Sequence, residues 1–125
     1  MPLSPGLHGS AKLVVADGDT SIAMHSGDVP VLATPRLIAL CEEATLVAIA
    51  DRLPAGQTTV GMRVQVDHLA PTHVGSSVAA EASLERVEGR RLTFTVSVTD
   101  HGGLVAAGKV TRVVVETERF LDKAR

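Results

Sequence analysis

Apolar and polar positions follow two periods along this chain, and the change of period marks its elements. Over 34–52 the apolar residues, among them Leu37, Leu40, Cys41, Ala44, Val47 and Ile49, fall on nearly every side of a 3.6-residue repeat. The spacing predicts one long helix. Thr34 suits the N-cap, Pro35 the first helical position, where no N–H partner is needed, and Pro54 with Gly56 the end. Beyond it the period drops to two. Residues 58–68 set Val60, Met62, Val64 and Val66 against Thr59, Gly61, Arg63 and Gln65. Residues 77–87 and 91–100 alternate in the same way, and 104–117 is apolar on both sides in places, as a central strand is.

Before the helix, 11–16 reads as a strand closed by Asp17-Gly18-Asp19, residues 1–9 as a flexible leader, and 20–33 as a connector. Glu88-Gly89 and His101-Gly102-Gly103 carry hairpin-turn chemistry, so the last three strands form an antiparallel meander. Residues 71–75 make either a bend or a crossover. The order of one strand, one long helix and four strands predicts an α+β domain over 10–125, with the helix against a sheet of about five strands. A sheet covers one side of such a helix. Apolarity all round therefore predicts that a second copy covers the rest, giving a homodimer.

Glu42 and Glu43 interrupt this apolar helix at its middle. Neighbouring residues point about 100° apart on a helix, so both reach water only across a wide exposed face. A carboxylate turned inward is costly unless it is paired or used. This makes the helix the place to look for chemistry.

Composition narrows the function classes. The 125 residues suit one domain, and 45% apolar content suits a proper core. Phe94 and Phe120 are the only aromatic residues, and the net charge is -2, which argues against base-stacking surfaces, DNA and anionic membranes as partners. Cys41 is the only cysteine; it sits among apolar residues and reads as core packing. The N-terminus lacks the basic and apolar regions of a signal peptide, and the helix is too short and too acidic to span a bilayer, so a cytoplasmic protein is expected. His68 and His73 lack a third ligand at sensible spacing, so no metal site is expected.

Five residues stand out, each with a plain reading beside a chemical one. Thr34 is a helix cap, or a hydroxyl beside free N–H groups able to hold an oxyanion. Glu42 is a solvated charge, or a general base, a nucleophile or an orienting group for histidine. His68 ends a strand as a satisfied core or surface imidazole, or as an acid–base group. Gly61, inside a strand, permits close approach of a ligand or another chain. Arg112 lies between Val110 and Val114 on an apolar face, where an arginine needs an anionic partner from the protein or from a ligand.

Taken together, this pattern resembles the hotdog thioesterases, and within them the fluoroacetyl-CoA thioesterase-like group. The resemblance covers roughly residues 10–120. It is carried by Leu32-Ala33-Thr34 with Glu42, by Gly61 with Asp67-His68, by the Val87-Glu88-Gly89-Arg90-Arg91-Leu92 turn, and by Gly108 with Arg112. It implies a long helix wrapped by a curved antiparallel sheet and a catalytic set of Thr34, Glu42 and His68 at a dimer interface. It also implies substrate-binding roles for Gly61 and Arg112, and hydrolysis of an acyl-CoA with no cofactor beyond the CoA of the substrate. The connector over 25–33 is shorter than the family's lid and has no aromatic ring, so a general acyl-CoA is expected rather than a fluorinated one. The main alternative is an acyl-CoA-binding hotdog module without catalysis.

Overall fold

The computed structural model describes residues 3–125, so Met1 and Pro2 of the expected leader lie outside the described residues. Strand β1 (His8–Val14) leads through a 3₁₀ turn (Asp17–Asp19) to helix α1 (Thr34–Ala48). Strands β2 (Gln57–His68), β3 (Ser77–Glu88), β4 (Arg91–Asp100) and β5 (Gly103–Glu116) follow, then a short helix α2 (Thr117–Asp122). The strands form one sheet in the order β1-β3-β4-β5-β2, with every neighbouring pair antiparallel. This is the hotdog arrangement.

The β3–β4–β5 meander matches the turn chemistry, with Gly89 at φ 62° and Gly103 at φ 117°, in the left-handed region open to glycine. Residues 69–76 make the crossover: β2 pairs with β5 at one edge, while β3 lies across the sheet and pairs with β1. Helix α1 lies against β1 and β3. Its buried stripe of Leu37, Leu40, Cys41, Ala44, Thr45 and Ala48 follows the three-and-four spacing of one helix face. Ala80, Ala82, Leu84, Phe94, Val98 and Val110 from the sheet complete the core.

Four local expectations change. The first strand begins at His8, and Gly9 passes so close to the backbone of Ala44 and Ala48 that a methyl group there would collide. The helix ends at Ala48 rather than Arg52, because Ile49 leaves helical geometry and Asp51 takes φ 62°. In β2 the ladder slips at Met62, with Gly61 opposite Arg112 and Arg63 opposite Thr111. That bulge reverses the alternation, so Thr59 and Gly61 share the inner face with Val64, Val66 and His68. The last strand stops at Glu116, where α2 begins.

Within one chain α1 is covered on one face only. Leu46 and Val47 remain 45% and 49% exposed, beside Ala39 and Glu43. The β2 edge is also open, with Met62 45% exposed. Among the described residues, no helix is long and apolar enough to cross a membrane.

Candidate active site

The open side of α1 faces the inner surface of β2, and the chemical residues collect along it in two clusters. The first stands at the helix start. Ala33, not Thr34, is the N-cap; its N–H donates to the Asp19 carbonyl at 2.9 Å. Asp19 also accepts from Arg36 Nε at 3.1 Å, which fastens the helix start to the 3₁₀ turn. Thr34 is therefore the first helical residue, and its hydroxyl lies 2.8 Å from His68 Nδ1 instead of capping. The first N–H groups of a helix have no intrahelical acceptor, so this pair sits beside free donors at the positive end of the dipole.

His68 Nε2 is buried and has no hydrogen-bond partner among the described residues. Burial lowers the imidazole pKa below its ordinary 6.5, with the Ala70 backbone pulling the other way. The ring is therefore neutral near pH 7. One nitrogen engages Thr34, and the other is left without a partner. An unpaired nitrogen of this kind is costly in a resting core and suits proton transfer.

The second cluster lies two helical turns on. Glu42 Oε2 accepts from Arg112 Nη1 at 3.2 Å. Arg112 Nε donates to Thr59 Oγ1 at 2.9 Å and Nη2 to the Thr59 carbonyl at 3.1 Å. Gly61 provides the floor: a Cβ there would lie 2.7 Å from Glu42 Oε2. The carboxylate thus rests where only glycine leaves room. The Glu42 side chain is 34% exposed and that of Arg112 only 8%. Burial lowers the Arg112 pKa, and Glu42, through its charge and its hydrogen bond, resists that shift.

Arg112, expected to bind substrate, spends its contacts on Glu42 and Thr59. Its guanidinium is nearly enclosed, and its three hydrogen bonds go to those two residues. Thr59 was missed in the sequence because the alternation set it on the polar side. Only the bulge at Met62 brings it to Arg112. Glu43 is exposed and makes no ion pair among the described residues. Cys41 is fully buried, and burial, then the Glu42 charge, raises its thiol pKa to about 11, which leaves no thiolate for catalysis. Among the described residues, no three His, Cys, Asp or Glu side chains converge as metal ligands.

The two clusters do not meet within one protomer. Thr34 and Glu42 are about 12 Å apart along the helix axis. Gly61 and His68 are about 20 Å apart along β2. Cavities of about 250–320 Å³ on the single chain lie elsewhere, around the β3–β4 turn and the end of β5.

Comparison with known proteins fits this geometry. The family described as fluoroacetyl-CoA-specific thioesterase matches residues 15–118. The fluoroacetyl-CoA thioesterase of Streptantibioticus cattleyicolor is 37% identical over 95 residues, which span 76% of this chain and 68% of that protein. A solved structure of the fluoroacetyl-CoA thioesterase FlK superimposes with a TM-score of 0.94 at 30% identity, covering 100% of this chain and 97% of that one. A hypothetical protein of Thermus thermophilus, described as a thioesterase superfamily member, gives a TM-score of 0.91 at 25% identity, over 99% and 92% of the two chains.

Proposed function

Since the chain belongs to the fluoroacetyl-CoA-specific thioesterase family of hotdog enzymes, we propose that it hydrolyses acyl-CoA thioesters at a site shared between two protomers. Glu42 of one protomer would face Thr34 and His68 of its partner. The observation that carries this reading is the anchored carboxylate: Arg112 and Gly61 fix Oε2 and leave Oε1 free on the open face between α1 and β2.

The separation of the two clusters supports a shared site. So do the uncovered Leu46 and Val47 on α1 and the open edge at Met62, which a second copy would bury. Two charged residues on a dimer-facing helix then have a reason to differ. Glu42 is held and aimed, and Glu43 is left to solvent.

In this reading the thioester carbonyl binds at the helix start, where free N–H groups and the Thr34 hydroxyl stabilise the developing oxyanion. Glu42 Oε1 is the reacting oxygen. It either attacks the carbonyl carbon, giving a mixed anhydride that water then cleaves, or takes a proton from the attacking water. The C–S bond breaks and the sulfur leaves as the thiolate; the neutral His68 ring relays to it the proton taken from water, directly in the first route and by way of Glu42 in the second, so both side chains end as they began. Label from ¹⁸O-water in the Glu42 carboxylate marks direct attack with water cleaving the anhydride at the Glu42 carbonyl, since the base route leaves that carboxylate unlabelled.

The acyl preference follows from the lack of rings near the site. Phe94 is buried in the core, Phe120 lies on α2, and the connector before α1 has neither Phe, Tyr nor Trp. An acyl group without fluorine selectivity is the expected substrate, with kcat/KM for acetyl-CoA and fluoroacetyl-CoA of the same order. The deciding experiment is Glu42→Gln, expected to lower kcat about a thousandfold with the fold intact, against Glu43→Gln, which stays near wild type. Full activity in Glu42→Gln removes the assignment, and thiol release from no member of an acyl-CoA panel favours the binding module.

A further inference from the structure

With Arg112 committed to Glu42, the phosphates of an acyl-CoA need cations elsewhere. Four others are already neutralised: Arg36 by Asp19, Arg86 by Glu88, Lys109 by Glu85 and Arg125 by Asp122. Arg90, Arg119 and Lys123 have no carboxylate within ion-pair distance among the described residues. All three line one groove of about 250 Å³ between the end of β5 and α2. Glu116, which also borders it, accepts a hydrogen bond from Gln57 at 3.1 Å.

The same groove carries Phe120, 39% exposed, with Val113 and Val115 beside it. In a chain with only two aromatic residues, one is core and the other is presented to solvent among three free cations. A ring of this kind offers a face to a planar base, and arginine and lysine offer donors to phosphate. A second groove of about 300 Å³, lined in part by Arg52 and Gln57, shares Arg90 and Val114 with the first as a common wall. The groove on the outer sheet face with Arg63, Arg86, Arg91 and Lys109 is a poorer fit, since two of its cations are paired and no ring lines it.

We propose that the β5–α2 groove binds a phosphorylated adenine nucleotide, with the base on Phe120 and the phosphates on Arg90, Arg119 and Lys123. The thioesterase reading above supplies its source, the 3′-phospho-ADP end of CoA. The groove runs along β5 from Val113, next to Arg112, to Glu116, about 13 Å beyond Arg112, so a nucleotide seated at its α2 end leaves that length to the pantetheine arm.

The test compares an acyl-CoA with the N-acetylcysteamine thioester of the same acyl group, which lacks the nucleotide. The double variant Arg90→Ala/Arg119→Ala is expected to raise KM about tenfold for the acyl-CoA and to leave KM for the truncated thioester unchanged. Phe120→Ala is expected to raise KM about fivefold for the acyl-CoA and to have no effect with the phosphopantetheine thioester, which lacks adenosine. Rising ionic strength should weaken wild-type binding of the acyl-CoA and not of the truncated substrate. Calorimetry with adenosine 3′,5′-bisphosphate reads the site without turnover, so it stands even if hydrolysis is never seen. Binding to wild type that is lost in the double variant, with both KM values unchanged, keeps the nucleotide site and assigns it to a free nucleotide. Absence of bisphosphate binding to wild type, or equal KM rises for both thioesters, overturns the proposal.

Discussion

The two clusters along α1 are built on opposite principles. Around Glu42 nearly every polar group is committed: Arg112 gives three hydrogen bonds, Thr59 takes two of them, and Gly61 removes the one methyl that would disturb the carboxylate. Around His68 the accounting is left open, with one ring nitrogen on Thr34 and the other buried without a partner. In the proposed mechanism the group that holds its aim is over-determined, whereas the group that passes a proton keeps a vacancy. In the proposed shared site the two halves complement each other, an anchored carboxylate facing a histidine with one free nitrogen.

The sharpest way to break this contrast is to separate the halves between subunits. Glu42→Gln and His68→Ala homodimers should each be inactive. Mixed by unfolding and refolding, they should recover about a quarter of wild-type activity, because half of the dimers then hold one intact site. No recovery in proven heterodimers places Glu42 and His68 in the same protomer's site. Next in size is Gly61→Ala. Its methyl would displace the carboxylate, and kcat should fall about a hundredfold while the melting temperature moves little. A wild-type rate there shows that the carboxylate needs no such aim.

A smaller effect tests the outer link. Thr59→Val removes the acceptor for Arg112 Nε, and kcat should fall about tenfold with KM within about twofold, since one buried donor is left unsatisfied. Thr59→Ser keeps the hydroxyl and should restore the rate; failure of that rescue reduces Thr59 to packing. The smallest effect concerns the open half. Burial lowers the His68 pKa, so the unfolded chain binds the proton more readily than the folded one. Stability should therefore fall as pH drops below about 6.5, and His68→Gln should lose that share of the slope in thermal melts. Parallel slopes for both proteins remove the buried-imidazole account.

Much of the architecture was legible because the chain's periods are clean. The long helix and β3, β4 and β5 follow directly from spacing, and Glu42 and Glu43 divide as helix geometry allows. The misses have local causes. His8-Gly9-Ser10 contains no apolar residue to announce a strand, although Gly9 is needed where β1 runs against α1. The bulge at Met62 is silent in sequence because apolar residues continue on both sides of it at period two. That silence hid Thr59 and left the partner of Arg112 open. Individual site residues were readable as types, but their pairings depended on a one-residue slip that composition does not record.

The burial of Cys41 has a practical consequence. The chain has no tryptophan or tyrosine, so it offers almost no intrinsic fluorescence or near-UV signal of unfolding. Its one thiol lies fully enclosed between α1 and the sheet, with burial raising its pKa to about 11. A disulfide reagent can therefore reach it only when the helix lifts away. The labelling rate becomes a clock for that opening, built into the helix that carries Glu42.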